Sequence, residues 1–259
     1  MNEMIFVRNE SYTRYEEMIV RRDNVKKQAL QYHNDYIREF GELIVDVFEK
    51  KIACIELKKK IEFCQMMINR DGRINMAALE TYIQKEMEEF RKNLKEMADE
   101  AEAARNATRI SEYEFLQIKK IYRKIVKLIH PDINPQTQES EVMMDLWQRV
   151  VIAYNCNKLK DIQELEVLVA KALEQIDGRI EIDIPDIEEK IAELEKEIKE
   201  VVSTDPYQFK YIIEDPEAIK LKKEELTEEL KEYEEYAESL KEIYNNLFES
   251  GVVFTWQMN

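Results

Sequence analysis

Apolar side chains recur every three or four positions from Ser11 to about Asn69. This spacing predicts one long helix whose apolar seam packs against a partner helix. Asp71-Gly72 is predicted to end that helix, because both residues favour turns. A second run with the same periodicity extends from about residue 75 to residue 107. The connection between the two runs is very short, so we expect an antiparallel helical hairpin over residues 1–107.

Glycine and proline, the residues that turns and close backbone contacts need, are scarce in this chain. There are four Gly and five Pro among 259 residues, far below the usual combined share of about 12%. This scarcity argues against a β-sandwich, a β-barrel or a doubly wound sheet. Together with the helical spacing, it predicts an all-α fold built from long helices.

The central part of the chain, residues 108–176, has the pattern of several shorter helices. Ser111 with Glu114 three residues later forms a capping-box pattern, which predicts a helix start. That helix is expected to run to His130, where Pro131 stops it. Further helices are predicted from about residue 136 to 158 and from 161 to 176. This segment therefore stands apart from the long N-terminal hairpin.

Residues 177–259 are predicted to form a second antiparallel helical hairpin. Its first helix covers about residues 186–202, and Asp215-Pro216 opens its second helix, which Gly251 ends. Residues 179–184 alternate with a period of two and residues 252–256 are rich in β-formers, so a minor two-stranded β element is expected. The heptad seams leave open whether they close within one chain or between the two chains of a homodimer.

Charge is distributed unevenly along the chain. The total is −16, which argues against a general nucleic-acid binder because phosphate neutralisation needs clustered Lys and Arg. Residues 161–259 contain 28 acidic and 11 basic residues, whereas residues 1–160 contain 27 and 28. The acidity therefore belongs to the C-terminal part.

The sequence favours a cytoplasmic protein that is not an enzyme. We see no signal peptide at the N-terminus and no apolar run long enough to cross a membrane. Cys54, Cys64 and Cys156 form no CxxC pair, and only two histidines are present, so no metal site is expected. No nucleophilic triad and no Gly-rich phosphate loop is recognisable, so no cofactor is predicted.

The segment from Ile118 to Pro135 combines a basic helix with a turn. Its apolar residues share one side of the predicted helix, and its cations share the exposed side. These cations are Lys119, Lys120, Arg123, Lys124 and Lys127. Like charges at this spacing cost about 0.2–0.5 kcal/mol each in an isolated helix, so a face kept at that cost indicates an acidic partner surface. An exposed turn bearing His130, Pro131 and Asp132 is expected to follow.

This segment resembles the second helix and signature loop of the J domain, the module of DnaJ-type co-chaperones. The family shows a Lys-Lys-x-Tyr-Arg-Lys run and then His-Pro-Asp-x-Asn-Pro. The matching residues are Lys119, Lys120, Tyr122, Arg123, Lys124, His130, Pro131, Asp132, Asn134 and Pro135. The family's third helix is matched by Trp147, Val150, Ala153 and Tyr154, so the resemblance covers about residues 110–160. The Leu-Gly pair of the family's first helix is missing, and the N-terminal hairpin would substitute for that helix.

The resemblance implies that the chain docks on a DnaK-type ATPase chaperone and stimulates its ATP hydrolysis. The basic helix would steer the encounter electrostatically. His130 and Asp132 would engage the partner, Pro131 would fix the loop shape, and Asn134 would stabilise the loop through side-chain hydrogen bonds to the backbone. The two helical hairpins would then be the segments that bind a client protein.

Other interpretations of these residues stay open. His130-Pro131 is also typical of an ordinary helix C-terminus, where histidine is favourable at the negative end of the helix dipole and proline stops the helix. The cations of the basic helix could be solvated, or Lys119 and Lys127 could pair with the acidic C-terminal hairpin, which would mask them until a partner displaces it. The alternative for the whole chain is a coiled-coil adaptor or scaffold in which the J-like segment is only structural.

Overall fold

The fold is all-α, as the sequence predicts. The computed structural model describes residues 10–71, 73–106, 110–174, 184, 186–250 and 252–254. The helices of these ranges are α1 (Glu10–Asp71), α2 (Met76–Asn106), α3 (Glu112–Ile129), α4 (Pro135–Glu139), α5 (Glu141–Asn155), α6 (Leu159–Glu174), α7 (Ile187–Ser203), α8 (Lys210–Ile213) and α9 (Pro216–Ser250). A short 3₁₀ helix, Tyr207–Phe209, precedes α8. None of these helices is long and apolar enough to cross a membrane.

Several helix ends lie where the local sequence predicts them. The Ser111 hydroxyl accepts the Glu114 N–H at 3.2 Å, and Glu114 Oε2 accepts the Ser111 N–H at 3.1 Å, which completes the capping box of α3. Asp215 Oδ1 accepts the Glu217 N–H at 3.0 Å at the start of α9. These contacts satisfy backbone donors that have no partner within the helix. The predicted ends of α1 and α2 are likewise confirmed within a few residues.

The helix predicted over residues 136–158 is wrong, because two helices, α4 and α5, occupy this range. Ser140 separates them with an extended backbone, φ −107° and ψ 114°. Its hydroxyl accepts the Met143 N–H at 3.4 Å and so caps α5. A serine is well suited to this position because its side chain replaces the missing helical acceptor.

The two strands of the structure are β1, Arg73–Asn75, and β2, Val252–Phe254. They pair in parallel, with Ile74 opposite Val253. The expected partner of the terminal strand, residues 179–184, lies outside the described residues except for Ile184. The described partner of β2 is therefore the segment directly after α1, which was predicted to be only a connection between two helices.

The chain divides into two compact units, residues 1–31 with 108–208 and residues 32–107 with 209–259. In the first unit, apolar residues of α1 pack in one core with those of α3, α5, α6 and α7. Fully buried members of this core include Ile19, Ile125 and Val150. The first unit thus surrounds the J-like segment with helices from both sides of it in sequence.

The second unit is built on the remainder of α1. One core joins α1 to α2 around Cys64, Leu79 and Met87. Two smaller cores join α1 to α9, one around Cys54 and Leu240 and the other around Phe40. Because these seams close within the chain, they do not require a second copy to bury them.

This division corrects the three expected segments 1–107, 108–176 and 177–259. The physical reason is where the apolar faces lie. Ile191, Leu194 and Ile198 of α7 are buried in the first unit, whereas the buried residues of α9 pack on α1 in the second. The expected acidic hairpin of α7 and α9 is therefore replaced by two helices that belong to different cores.

Candidate docking site at the His-Pro-Asp loop

The loop between α3 and α4 is closed by its own backbone. The His130 carbonyl accepts the Ile133 N–H at 2.9 Å and the Asn134 N–H at 2.8 Å. His130 ends α3 with an extended backbone, and Pro131 cannot continue the helix because it lacks an N–H. Ile133 is fully buried and anchors the turn from below. The result is a tight turn with a fixed shape.

His130 is buried, contrary to the exposed turn expected from the sequence. Only 5% of the residue is accessible, and its ring meets the Trp147 ring edge-on at 4.6 Å between centroids. Its Nδ1 accepts the Asp132 N–H at 3.1 Å, so the neutral ring carries its proton on Nε2. Burial lowers the pKa of His130 to about 4, although the Asp132 carboxylate acts in the opposite direction. The imidazole thus supports the loop from inside.

Asn134 has the loop-stabilising role that the sequence predicts. It is fully buried, its Nδ2 donates to the Leu128 carbonyl at 3.1 Å, and its Oδ1 accepts the Gln136 N–H at 3.1 Å. One side chain therefore ties the end of α3 to the start of α4. Across the loop, Gln138 Nε2 donates to the Pro131 carbonyl at 3.3 Å.

Asp132 is the charged group that the loop presents outward. Its side chain is 47% exposed, and its Oδ2 lies 3.8 Å from His130 Nδ1. Because His130 and Asn134 are directed into the core, the loop offers a partner the Asp132 carboxylate and the half-buried ring of Pro131. A rigid turn that projects one carboxylate is suited to pairing with a cation or a hydrogen-bond donor.

The basic face of α3 is partly neutralised within the first unit. Three of its cations form ion pairs with carboxylates of α1 and α6. The pairs are Arg123–Glu17 at 3.5 Å, Lys124–Glu166 at 2.7 Å and Lys127–Glu16 at 3.2 Å. Among the described residues, the carboxylates that pair with this face thus come from α1 and α6, and none comes from the described part of residues 177–259.

The remaining two cations of the face are available to a partner. Within the described ranges, Lys119 and Lys120 form no ion pair. Lys120 is exposed, and the Lys119 ammonium lies 6.0 Å from the centre of the Phe115 ring. The free positive charge is therefore concentrated on the N-terminal half of α3.

Tyr122 is a core residue and not a surface contact. Its ring stacks on that of Tyr154 at 3.8 Å, and its hydroxyl donates to Asp23 Oδ2 at 2.8 Å. Burial and the Asp23 carboxylate raise the pKa of Tyr122 well above its ordinary value. Since Tyr122 lies beside Tyr154 while His130 lies beside Trp147, α3 and α5 run antiparallel.

The α1 residues that support this site were not among the site residues predicted from the sequence. Asp23 holds Tyr122 and also binds Arg22, whose Nε lies 2.9 Å from Asp23 Oδ1. Lys27 is 2% exposed, and its ammonium donates to the Tyr154 carbonyl at 2.5 Å. A signal for this packing was present, because Tyr12, Tyr15 and Ile19 continue the helical apolar spacing toward the N-terminus.

No group of three His, Cys, Asp or Glu residues that could hold a metal ion occurs in the described part of the chain. His130 Nε2 lies on a ring that is buried against Trp147, so the ring is not placed to exchange protons with a bound substrate. The chain matches no protein-family model, no curated protein and no solved structure.

Proposed function

We propose that this protein is a co-chaperone of the J-domain type, which docks on a DnaK-type chaperone and stimulates its ATP hydrolysis. The observation that carries the proposal is the His-Pro-Asp loop itself: His130 accepts the Asp132 N–H from beneath, and the Asp132 carboxylate projects outward. A fixed carboxylate at the end of a basic helix is a defined docking element.

The surroundings of the loop support the proposal. The α3–α5 hairpin is antiparallel, and Tyr122, Trp147 and Tyr154 form its aromatic spine. Apolar residues 12–25 of α1 pack in one core with this hairpin. The hairpin is therefore stabilised by a helix that the resemblance does not supply.

Electrostatic steering would come from Lys119 and Lys120, and to a smaller extent from the ion-paired but exposed Arg123 and Lys124. Exposed ion pairs in water are weak, about 0–1 kcal/mol, so a partner's carboxylates can compete for these cations. We expect the docking rate to fall with rising ionic strength, because screening shortens the reach of these charges.

The cleanest test replaces the exposed carboxylate. Asp132→Asn keeps the size of the side chain and leaves the backbone N–H that binds His130, so the loop should fold unchanged. We expect this variant to lose stimulation of a purified cognate DnaK-type ATPase by about tenfold or more. Asp145→Asn, an exposed change on α5, is the matched control and should stimulate like wild type.

The ATPase assay of Asp132→Asn distinguishes a co-chaperone from an adaptor or scaffold. Equal stimulation by wild type and Asp132→Asn, or no stimulation by wild type, would contradict the proposal. The second candidate, an adaptor whose J-like segment is only structural, is favoured by the in-chain pairing of Arg123, Lys124 and Lys127. It predicts that a chaperone ATPase is unaffected by the protein.

A further inference from the structure

A cleft of about 410 Å³ lies directly beside the His-Pro-Asp loop, within the first unit. Asp132 and Pro131 form one wall, and Lys190, Glu193 and Glu197 of α7 form the opposite wall. Tyr15 and Arg22 of α1 also line the cleft. A partner that reaches the Asp132 carboxylate from this side therefore meets α7 as well.

Apolar contacts and ion pairs hold α7 in this place. Leu194 is buried in the same core as α3 and α5. Arg14 binds Glu195 at 2.9 Å, and Lys26 binds Glu197 at 2.5 Å, which links α7 to α1. The wall opposite the loop is thus a fixed part of the unit.

Some of the charged groups that line the cleft are already bound in ion pairs within the chain. Arg22 is bound by Asp23 at 2.8 Å, and Glu197 is bound by Lys26. In the described ranges, the ammonium of Lys190 and the carboxylate of Glu193 form no ion pair, and the Asp132 carboxylate lies beside the neutral His130 ring. The open charges are then two carboxylates and one ammonium, so the cleft has a negative excess.

Tyr15 adds a hydroxyl group to the lining of the same cleft. Tyr15 is 4% exposed, and no residue of the described ranges forms a hydrogen bond with its phenol group. Burial and the carboxylates of Asp132 and Glu193 raise the pKa of Tyr15, so its hydroxyl lies within the field of both acids. As part of the cleft lining, this hydroxyl is available to form a hydrogen bond with an occupant of the cleft.

We propose that α7 is the second wall of the docking site and that the cleft receives a basic side chain, arginine or lysine, of the docking partner. The side chain would donate to Glu193 and to the Tyr15 oxygen while the partner engages Asp132. This inference rests on the proposed function and adds a specificity-determining residue, Glu193, from outside the segment that resembles a J domain.

The test is a charge reversal on the exposed surface of α7. In the full-length protein, Glu193→Lys should raise the concentration needed for half-maximal stimulation of the purified chaperone ATPase by about fivefold or more. The maximal stimulated rate should stay unchanged, because the loop is intact. Glu189→Lys, an exposed change on the same helix outside the cleft, should leave both values at those of wild type.

A second variant addresses the hydroxyl. Tyr15→Phe keeps the buried ring and removes the phenol oxygen, so it should raise the half-maximal concentration by about two- to threefold without lowering the thermal midpoint. Half-maximal concentrations equal to wild type in Glu193→Lys would overturn the inference. If Asp132→Asn is inactive in the same assay, that result leaves the co-chaperone function standing. A wild-type protein without stimulation would overturn both.

Discussion

The imidazole of His130 accepts the backbone N–H of Asp132 at 3.1 Å from within the core. This contact assigns different tasks to the two residues. His130 fixes the direction of the loop, and Asp132 carries the exposed charge. A substitution of His130 should therefore act through the position of Asp132, whereas a substitution of Asp132 removes the recognised group itself.

Acid should destabilise the first unit through His130. Its pKa is about 4 in the folded protein and about 6.5 in an unfolded chain. Between these two pH values the unfolded state binds more protons than the folded state. The contribution of His130 to the free energy of unfolding is therefore present in full above about pH 6.5 and is lost as the pH falls toward 4. We expect a loss of about 2 kcal/mol between pH 7 and pH 5 from this residue, measured by urea unfolding.

The control for this loss is the variant His130→Gln, which cannot titrate. Its side-chain oxygen can still accept the Asp132 N–H. The difference in unfolding free energy between wild type and variant should shrink or reverse on going from pH 7 to pH 5. A difference that is the same at both pH values would show that protonation of His130 does not oppose folding.

Loss of the Asn134 side chain should lower the free energy of unfolding by more than its small size suggests. Asn134→Ala removes the N-cap of α4 and the hydrogen bond to the Leu128 carbonyl. We expect the free energy of unfolding to fall by about 2–3 kcal/mol. Gln136→Ala, in the first turn of α4, is the comparison and should cost less than about 0.5 kcal/mol. Equal effects would mean that the Asn134 contacts contribute little.

Local features of the fold were predictable because they depend on neighbouring residues. The Ser111–Glu114 capping box, the end of α3 before Pro131 and the loop-stabilising hydrogen bonds of Asn134 all involve partners within six positions. Helical periodicity likewise predicted α1, α2 and α9, since an apolar seam needs no knowledge of what covers it.

Long-range features could not be predicted in the same way. Periodicity showed that α7 has an apolar face, but not that Leu194 packs beside α3 and α5. It also did not show that the Lys127 cation meets Glu16, which lies over a hundred positions away in sequence. Such contacts depend on tertiary packing, for which the spacing of residues in one helix holds no information.

The cations of α3 should have two different roles: one stabilises the folded protein, and another speeds association with a partner. Lys127 lies 3.2 Å from Glu16, whose side chain is 1% exposed, so Lys127→Ala leaves a buried carboxylate without this cation. We expect a loss of about 2–3 kcal/mol in unfolding free energy. Lys120→Ala should leave stability within about 0.5 kcal/mol and instead slow association with the chaperone at low salt. Similar stability losses in both variants would contradict this separation.

Lys27 should destabilise the folded protein at neutral pH. Burial lowers its pKa to about 8, compared with about 10.4 in an unfolded chain, so charging it in the core opposes folding below pH 8 and this cost fades as the pH rises. Its contacts, the Tyr154 ring face at 3.8 Å and the Tyr154 carbonyl, offset part of that cost.

Lys27→Met has nearly the same shape and no charge, so it should raise the free energy of unfolding at pH 7 by about 1–2 kcal/mol. The gain should be smaller by about 1 kcal/mol at pH 9, because the wild-type lysine is then mostly neutral when folded. Lys26→Met, at the half-exposed neighbouring position, is the control and should change stability by less than about 1 kcal/mol. A Lys27→Met protein less stable than wild type at pH 7 would mean that the cation–π contact with Tyr154 outweighs the cost of burying the ammonium.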